Sequence, residues 1–154
     1  MDFLLTEEQL ALQDLTRQFA KNEMIPKALE YDEKGIFPKE IIEKAFNLGL
    51  INNCIPEEFG GAGLSNVNSL IVTEELAAGC MGMATSMLAN DLALYPIVIA
   101  GNKEQKEKFL KPFTEKLKFA SFCLTEPNAG SDVAGLSTRL TKDGSDYALT
   151  GQKQ

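Results

Sequence analysis

The sequence predicts an α+β fold, in which an N-terminal all-α helical domain at residues 1–117 is followed by the start of an antiparallel β-domain at residues 118–154. Up to residue 117, apolar residues recur at helical spacing between recognisable helix caps. After Lys118, short apolar and aromatic runs alternate with turn-forming residues, which is typical of strands. Because so few strand candidates leave open sheet edges, we expect the β-domain to be incomplete in this sequence.

The first two predicted helices are marked by their ends. Thr6 and Gln9 form a capping-box pattern that begins the first helix, which buries one face and is interrupted at Pro26. Pro38 suits the first turn of the second helix, and Gly49 is a natural left-handed cap at its end. Both helices are therefore expected to be amphipathic.

A loop with one proline and three glycines, at 55–63, precedes a third predicted helix at 70–77 that ends near Gly79. A fourth helix, from about Met83 to Ala100, is almost wholly apolar, so we expect it to be buried nearly all round. Buried polar groups need partners. The informative residues of this helix are therefore its polar ones, Thr85, Ser86, Asn90 and Asp91.

Asn102 and Gln105 form a second capping-box pattern, which begins a fifth helix that Pro112 ends. Three strand candidates follow, with an Asp-Gly turn signal before the last. They lie at 119–125, 136–141 and 147–150.

Composition limits the possible functions. The chain has 154 residues, 44% of them hydrophobic, which is typical of a globular protein. Lys and Arg number 15 and Asp and Glu 22, a net charge of −7 that disfavours a nucleic-acid partner. With no histidine, histidine-activated nucleophiles and histidine-ligated metals are excluded, and three widely spaced cysteines favour neither a disulfide framework nor a metal site.

The start of the chain lacks the basic and apolar regions of a signal peptide. We also find no run approaching the roughly eighteen uncharged apolar residues of a membrane helix. We therefore predict a non-secreted protein without a membrane span.

The candidate functional segment runs from Leu124 to Asp132. It offers hydroxyls at Thr125 and Ser131, and its small residues allow backbone amides to approach a ligand. These features suit a phosphate or the polar edge of a cofactor. A plain connecting turn is the alternative that the residue types alone leave open.

Taken together, several motifs resemble the acyl-CoA dehydrogenase family over the whole sequence. The most specific is Phe122-Cys-Leu-Thr-Glu-Pro-Asn-Ala-Gly-Ser-Asp132, the family's flavin signature, followed by Gly151-Gln-Lys153. The others are Leu5-Thr-Glu-Glu-Gln9, Leu48-Gly-Leu50, Ile55-Pro-Glu57, Gly60-Gly-Ala-Gly-Leu64 and Glu74-Glu-Leu-Ala77. The sequence around Pro96-Ile97 and Ile99-Ala-Gly101 most resembles the medium-chain branch of the family.

The resemblance implies FAD as the cofactor and assigns site residues. Thr125 would donate near the pyrimidine edge of the flavin, and Leu88 would replace a polar or acidic residue of the medium-chain relatives at the acyl cavity. The flavin-lining residues are Phe122, Cys123, Leu124, Thr125, Glu126, Pro127, Asn128, Ala129, Gly130 and Ser131. The residues expected to contact acyl-CoA are Ser131, Ala84, Thr85 and Leu88.

The resemblance also implies a reaction of fatty acid β-oxidation. A glutamate removes the α-proton of a fatty acyl-CoA while a hydride passes from the β-carbon to flavin N5, which gives a trans-2-enoyl-CoA. An electron-transfer flavoprotein accepts the electrons from a homotetramer or dimer, in the bacterial cytoplasm or the mitochondrial matrix. The catalytic glutamate is expected outside these residues, so Glu74 and Glu75 are interpreted as exposed or capping charges and residues 1–154 alone are expected to be inactive.

Two alternatives remain open at this point. The chain could be a catalytically inactive helical interaction module with a vestigial flavin segment. It could also belong to a flavin monooxygenase or nitroalkane oxidase, which share the scaffold and replace the glutamate.

Overall fold

A computed structural model describes residues 4–154, which form two compact units that divide between Ser121 and Phe122. Residues 1–3, part of the start that lacks a signal-peptide pattern, lie outside the described residues. The fold is mostly helical with a small antiparallel sheet near the C-terminal end of the chain. The helices are α1 Glu7–Phe19, α2 Ile25–Lys34, α3 Lys39–Asn47, α4 Asn66–Gly79, α5 Met81–Ala100, α6 Lys103–Phe109 and α7 Pro112–Glu115.

The N-terminal cap is confirmed, because Gln9 N donates to Thr6 Oγ1 at 3.2 Å and Thr6 N donates to Gln9 Oε1 at 3.0 Å. The α-helix is interrupted before Pro26, as predicted, but the chain stays helical beyond it, which was not predicted. A π-helical turn, Ala20–Met24, leads directly into α2, and Pro26 occupies the first turn of that helix. A proline is tolerated there because the N–H that it lacks would have no partner within the helix.

Two of the predicted boundaries are confirmed, and the start of α4 moves. Helix α3 follows Pro38, and Gly49 takes the left-handed conformation with φ +70°. Helix α4 begins earlier than predicted, where the Ser65 hydroxyl accepts from Asn68 N at 3.2 Å. The loop at 55–63 contains a single 3₁₀ turn, Glu57–Phe59.

The core of the helical unit is formed where α1, α3, α4 and α5 meet. A second, smaller cluster contains Ile55, Leu94 and Leu110, and it joins the loop before α4 to the end of α5 and to α6. The largest fully buried side chains of the main cluster are Met24, Ile41, Ile42, Leu50, Leu76 and Met87. Burial of side chains of this size is the dominant favourable contribution to folding.

Helix α5 differs from the prediction that it is buried nearly all round. Met83, Met87 and Leu94 face the core, whereas Leu92 and Ile99 are exposed. Among the described residues, it is also the one helix that is long and apolar enough, by length and composition alone, to cross a membrane. The expectation that no run approaches this limit was therefore too strong, although core helices of globular proteins meet the same criterion.

The capping box of the fifth predicted helix is confirmed in α6, where Gln105 N donates to Asn102 Oδ1 at 2.8 Å. Pro112 then does more than end this helix. It starts the short helix α7, in whose first turn it lies.

The C-terminal unit contains an antiparallel hairpin of β1, Arg139–Asp143, and β2, Asp146–Thr150. Asp143 pairs with Asp146, and Gly144 begins the two-residue loop with φ +60°. The predicted strand at 119–125 is wrong, because those residues form no ladder with a neighbouring strand in the described part of the chain. A strand needs such a partner for its backbone groups.

Candidate functional site

The segment 122–131 closes on itself as a tight turn. Glu126 N donates to Ala129 O at 2.9 Å and Ala129 N donates to Glu126 O at 3.1 Å, with Pro127 and Asn128 at the tip. Glu126 and Ala129 are buried, and Leu124 is half-buried. The other predicted flavin-lining residues are exposed: Phe122, Cys123, Thr125, Pro127, Asn128, Gly130 and Ser131.

The carboxylate of Glu126 is held entirely by its own chain. Oε2 accepts from Ser137 N at 2.7 Å and Ser137 Oγ at 2.8 Å, and Oε1 accepts from Thr138 N at 2.9 Å. Lys153 Nζ lies 3.0 Å from Oε1. Hydrogen bonds from Thr138 and Ser137 hold the pKa of the Glu126 carboxyl well below its usual range, because they favour the charged form.

Thr125 and Ser131 contrast with Glu126. Within residues 4–154, neither their hydroxyls nor their backbone amides donate a hydrogen bond to a protein acceptor. Both residues are exposed, and a side chain built at the adjacent Gly130 would meet nothing within 4 Å. The turn therefore presents neutral donors beside open space.

The three helix residues expected at an acyl cavity have different surroundings. Ala84 is fully buried in the main core. The hydroxyl of the exposed Thr85 donates to Met81 O at 2.9 Å. Leu88 is half-buried beside a groove of about 430 Å³ between α4 and α5, which Leu70 and Tyr95 also line. Leu88 therefore borders open space, whereas the Ala84 side chain is enclosed in the core and the Thr85 hydroxyl is engaged within its own helix.

The polar residues of α5 do find partners, as their position in an apolar helix indicated. Asn90 Nδ2 donates to Asn52 Oδ1 at 2.9 Å and to Lys118 O at 2.8 Å, and its Oδ1 accepts from Ala120 N at 2.9 Å. Asp91 Oδ1 accepts from Cys54 N at 3.2 Å. The sequence indicated that partners were needed, but the partners lie 28 to 38 residues away along the chain and no local pattern identifies them.

The interpretation of Glu75 as an exposed or capping charge is wrong. Glu75 is buried and accepts from Arg17 Nε at 2.9 Å and Arg17 Nη2 at 2.6 Å, which joins α4 to α1. The helical spacing of apolar residues in α1 and α4 gives no indication of such an ion pair. Glu74 is exposed, as expected. In the part of the chain that the structure describes, no group of three or more metal-binding side chains lies together.

The helical unit followed by a turn with free donors is the arrangement expected of the acyl-CoA dehydrogenases, and comparison establishes the class. The family model described as "Acyl-CoA dehydrogenase, N-terminal domain" matches residues 6–116. The chain belongs to the acyl-CoA dehydrogenase family.

Individual relatives cover almost the whole chain. It is 41% identical over 153 residues to the probable medium-chain specific acyl-CoA dehydrogenase 2, mitochondrial, of Caenorhabditis briggsae, covering 99% of this chain and 38% of that protein. Butyryl-CoA dehydrogenase from Megasphaera elsdenii has a TM-score of 0.89 and 38% identity, covering 99% of this chain and 41% of that one.

A third relative is an acyl-CoA dehydrogenase from Bacillus anthracis, whose structure is described as complexed with FAD. It has a TM-score of 0.86 and 35% identity, covering 97% of this chain and 26% of that one. The chain spans about two fifths of the length of the curated relatives that it matches.

Proposed function

We propose that residues 122–131 bind the polar edge of an FAD cofactor, and that the chain supplies the N-terminal part of an acyl-CoA dehydrogenase. The observation that carries this proposal is the set of free amides and hydroxyls at Thr125 and Ser131 in an exposed turn of the described structure. The pyrimidine edge of a flavin presents carbonyl oxygens, which accept hydrogen bonds from such neutral donors. The FAD complex of the Bacillus anthracis relative supports this choice of cofactor.

The charge of the turn is also consistent with a flavin. A free carboxylate beside the carbonyl oxygens of the ring would repel them. Glu126 is the acidic residue within 122–131, and its oxygens already accept hydrogen bonds from Ser137, Thr138 and Lys153. The hydroxyls and amides of Thr125 and Ser131 remain free to donate.

In this role each residue has a separate task. Bound FAD would supply the hydride acceptor for oxidation of the substrate. The Thr125 hydroxyl would orient the flavin ring, and Ser131 would contact the acyl-CoA. Ala84, Thr85 and Leu88 are the helix residues proposed to contact the acyl chain. Leu88 is the best placed of the three, since it lines an open groove, whereas Ala84 is buried in the core and the Thr85 hydroxyl donates to Met81 O.

The proposed substrate is a fatty acyl-CoA, oxidised to a trans-2-enoyl-CoA, with an electron-transfer flavoprotein as acceptor and a homotetramer as the assembly. The names of the relatives support acyl-CoA as the substrate class. The names also include mitochondrial and bacterial proteins, so the matrix and the bacterial cytoplasm are the two proposed locations. The base that removes the α-proton is proposed to lie outside residues 1–154.

The cofactor assignment is tested by titrating ¹⁵N-labelled residues 1–154 with FAD and following backbone amide shifts by NMR, which detects weak binding. We expect saturable shifts at 122–131, and weaker binding in Thr125→Val. The matched control is Thr150→Val, an exposed strand position with no side-chain hydrogen bond among the described residues. Absence of shifts up to the solubility limit of FAD, or shifts confined to the helical unit, would refute the assignment.

The proposal that the catalytic base lies outside residues 1–154 is tested separately. Residues 1–154 are incubated with octanoyl-CoA and an artificial electron acceptor, with and without FAD. We expect no turnover because the proposed base is absent, and appreciable turnover would contradict that part of the proposal.

A further inference from the structure

Glu126 lies in the middle of the proposed flavin turn, yet its side chain faces away from solvent and is only 3% exposed. Its two oxygens accept four hydrogen bonds, from Ser137 N and Oγ, Thr138 N and Lys153 Nζ. A carboxylate with this many donors has no lone pair directed at a ligand. A role in direct contact with the flavin is therefore unsuited to this side chain.

The donors come from two separate segments on the C-terminal side of the turn. Ser137 and Thr138 directly precede β1, and Lys153 follows β2. Both ends of the hairpin are thus tied to one carboxylate within the turn. Because Glu126 also pairs with Ala129 through its backbone, the same residue closes the turn and anchors it.

Lys153 also contacts the residues just before Glu126. Its Nζ donates to Leu124 O at 2.9 Å as well as to Glu126, and Gln154 N donates to Thr125 O at 3.0 Å. The backbone carbonyls of Leu124 and Thr125 are therefore held by the segment after β2. This leaves the amide and hydroxyl of Thr125 as the free polar groups of that residue.

The approach of this segment depends on Gly151. A Cβ built at this glycine would collide with the side chain of Thr138, so any other residue would push the segment away from the start of β1. The glycine thus allows Lys153 to reach Glu126. We name the ion pair of Glu126 with Lys153, together with the close approach of the chain at Gly151, the carboxylate anchor.

We propose that Glu126 and Lys153 are positioning residues, whose ion pair holds the backbone of 124–131 in the conformation that presents Thr125 and Ser131 to the flavin. The inference rests on the proposed function for the identity of the ligand. The anchor itself concerns only contacts within the C-terminal unit.

The physical reason is preorganisation. A turn that is already ordered binds without losing further conformational freedom, whereas a turn released from its anchor must be ordered by the ligand. Each residue that must be ordered on binding lowers affinity by about tenfold. Loss of the anchor should therefore weaken FAD binding at least about tenfold without removing any group that contacts the flavin.

The experiment compares Glu126→Gln, Lys153→Met and Lys153→Arg with the unaltered residues 1–154. Glu107→Gln is the matched control, since this exposed glutamate of α6 has no side-chain hydrogen bond among the described residues. Two quantities are measured by NMR without and with FAD. The first is the affinity for added FAD, and the second is amide hydrogen exchange without FAD, within 124–131 at Glu126 and Ala129, whose amides donate hydrogen bonds, and in the hairpin at 139–150. The exchange measurement requires no cofactor.

We expect faster exchange at the Glu126 and Ala129 amides in Glu126→Gln and Lys153→Met while amides of the hairpin stay protected, and at least about tenfold weaker binding of FAD. Lys153→Arg should restore much of both, since it keeps the cation. If the residues had a merely structural role, amide exchange would become faster in the hairpin as well as in the turn. That pattern in Lys153→Met would overturn the inference. Unchanged exchange at 124–131, or unchanged FAD affinity where the unaltered chain binds FAD, would also overturn it.

Failure of the proposed function gives a different pattern. If the unaltered chain binds no FAD while exchange at 124–131 still responds to Lys153→Met alone, the anchor exists and the cofactor assignment is wrong. If Glu126→Gln unfolds the whole unit, the decision passes to the two lysine variants.

Discussion

Asn90 offers the most direct test of how the helical unit holds its last residues. The residue is 2% exposed, and its side-chain amide makes three hydrogen bonds, to Asn52, Lys118 and Ala120. Asn90→Ala would leave one donor and two acceptors without partners in the interior. A buried polar group left unsatisfied costs about 1–3 kcal/mol, and some of this is recovered where water enters beside Lys118, so we expect a loss of about 3–5 kcal/mol.

That loss is large against the about 5–15 kcal/mol that separates a typical folded domain from its unfolded state. For a chain of this size it corresponds to a fall of roughly 10 °C in the melting temperature. The measurement is urea and thermal unfolding of residues 1–154 followed by far-UV circular dichroism. The control is Asn66→Ala, an exposed position in the first turn of α4, which should change stability by less than about 0.5 kcal/mol.

A second variant tests the orientation of the amide. Asn90→Asp keeps an acceptor for Ala120 N but places a carboxylate against the oxygens of Asn52 and Lys118, so it should also be strongly destabilised at neutral pH. Hydrogen exchange at Ala120 should be faster in both variants. A loss below about 1 kcal/mol in Asn90→Ala, or unchanged exchange at Ala120, would refute the reasoning.

Three further predictions follow from the described residues. Because the pKa of the Glu126 carboxyl is lowered in the folded chain, its contribution to stability is fully present above its unfolded pKa of 4.5 and is lost as the pH falls through the folded pKa. The melting temperature of the unaltered chain should therefore fall more steeply in acid than that of Glu126→Gln. Parallel curves of melting temperature against pH would contradict this. Gly60 has φ +85° and a Cβ there would lie 2.9 Å from Thr114 Oγ1, so Gly60→Ala should cost at least about 1 kcal/mol in urea unfolding. Gly82→Ala is the matched comparison, since nothing lies within 4 Å and the helical position should gain up to about 1 kcal/mol; equal effects would argue against the backbone account. Ile99 is 79% exposed on the apolar α5, so light scattering should show association of residues 1–154 that Ile99→Lys reduces, whereas a stable monomer of the unaltered chain would count against this.

Several features of the fold could be predicted because their causes are local. A capping box involves residues three apart, so Thr6 with Gln9 and Asn102 with Gln105 were readable and are confirmed. The hairpin turn at Gly144 was readable for the same reason, since only a few residues decide its conformation. Helix α2 was not predicted because a proline ends one helix and begins another with equal ease, and the preceding π-helical turn has no sequence signal.

The candidate site was predictable as a segment but not as an arrangement. The motif 122–132 indicated a turn with free donors, and the assignment of its residues to a flavin stays a prediction. That Glu126 is withdrawn from the set of free polar groups depends on Ser137, Thr138 and Lys153, which are 11 to 27 residues further along the chain. A pairing over such distances is fixed by tertiary packing and leaves no periodic pattern.

From its sequence alone, this protein could be assigned five of the seven α-helices in the described residues, its hairpin and its membership of a family, because caps, turns and motifs act over a few neighbouring residues. Only the tertiary structure decided which polar side chains form hydrogen bonds within the chain and which stay free. Burial makes an unpaired polar group costly, so the fold itself selected the partners of Glu75, Asn90 and Glu126. The groups that the fold left unpaired at Thr125 and Ser131 are those available for a ligand.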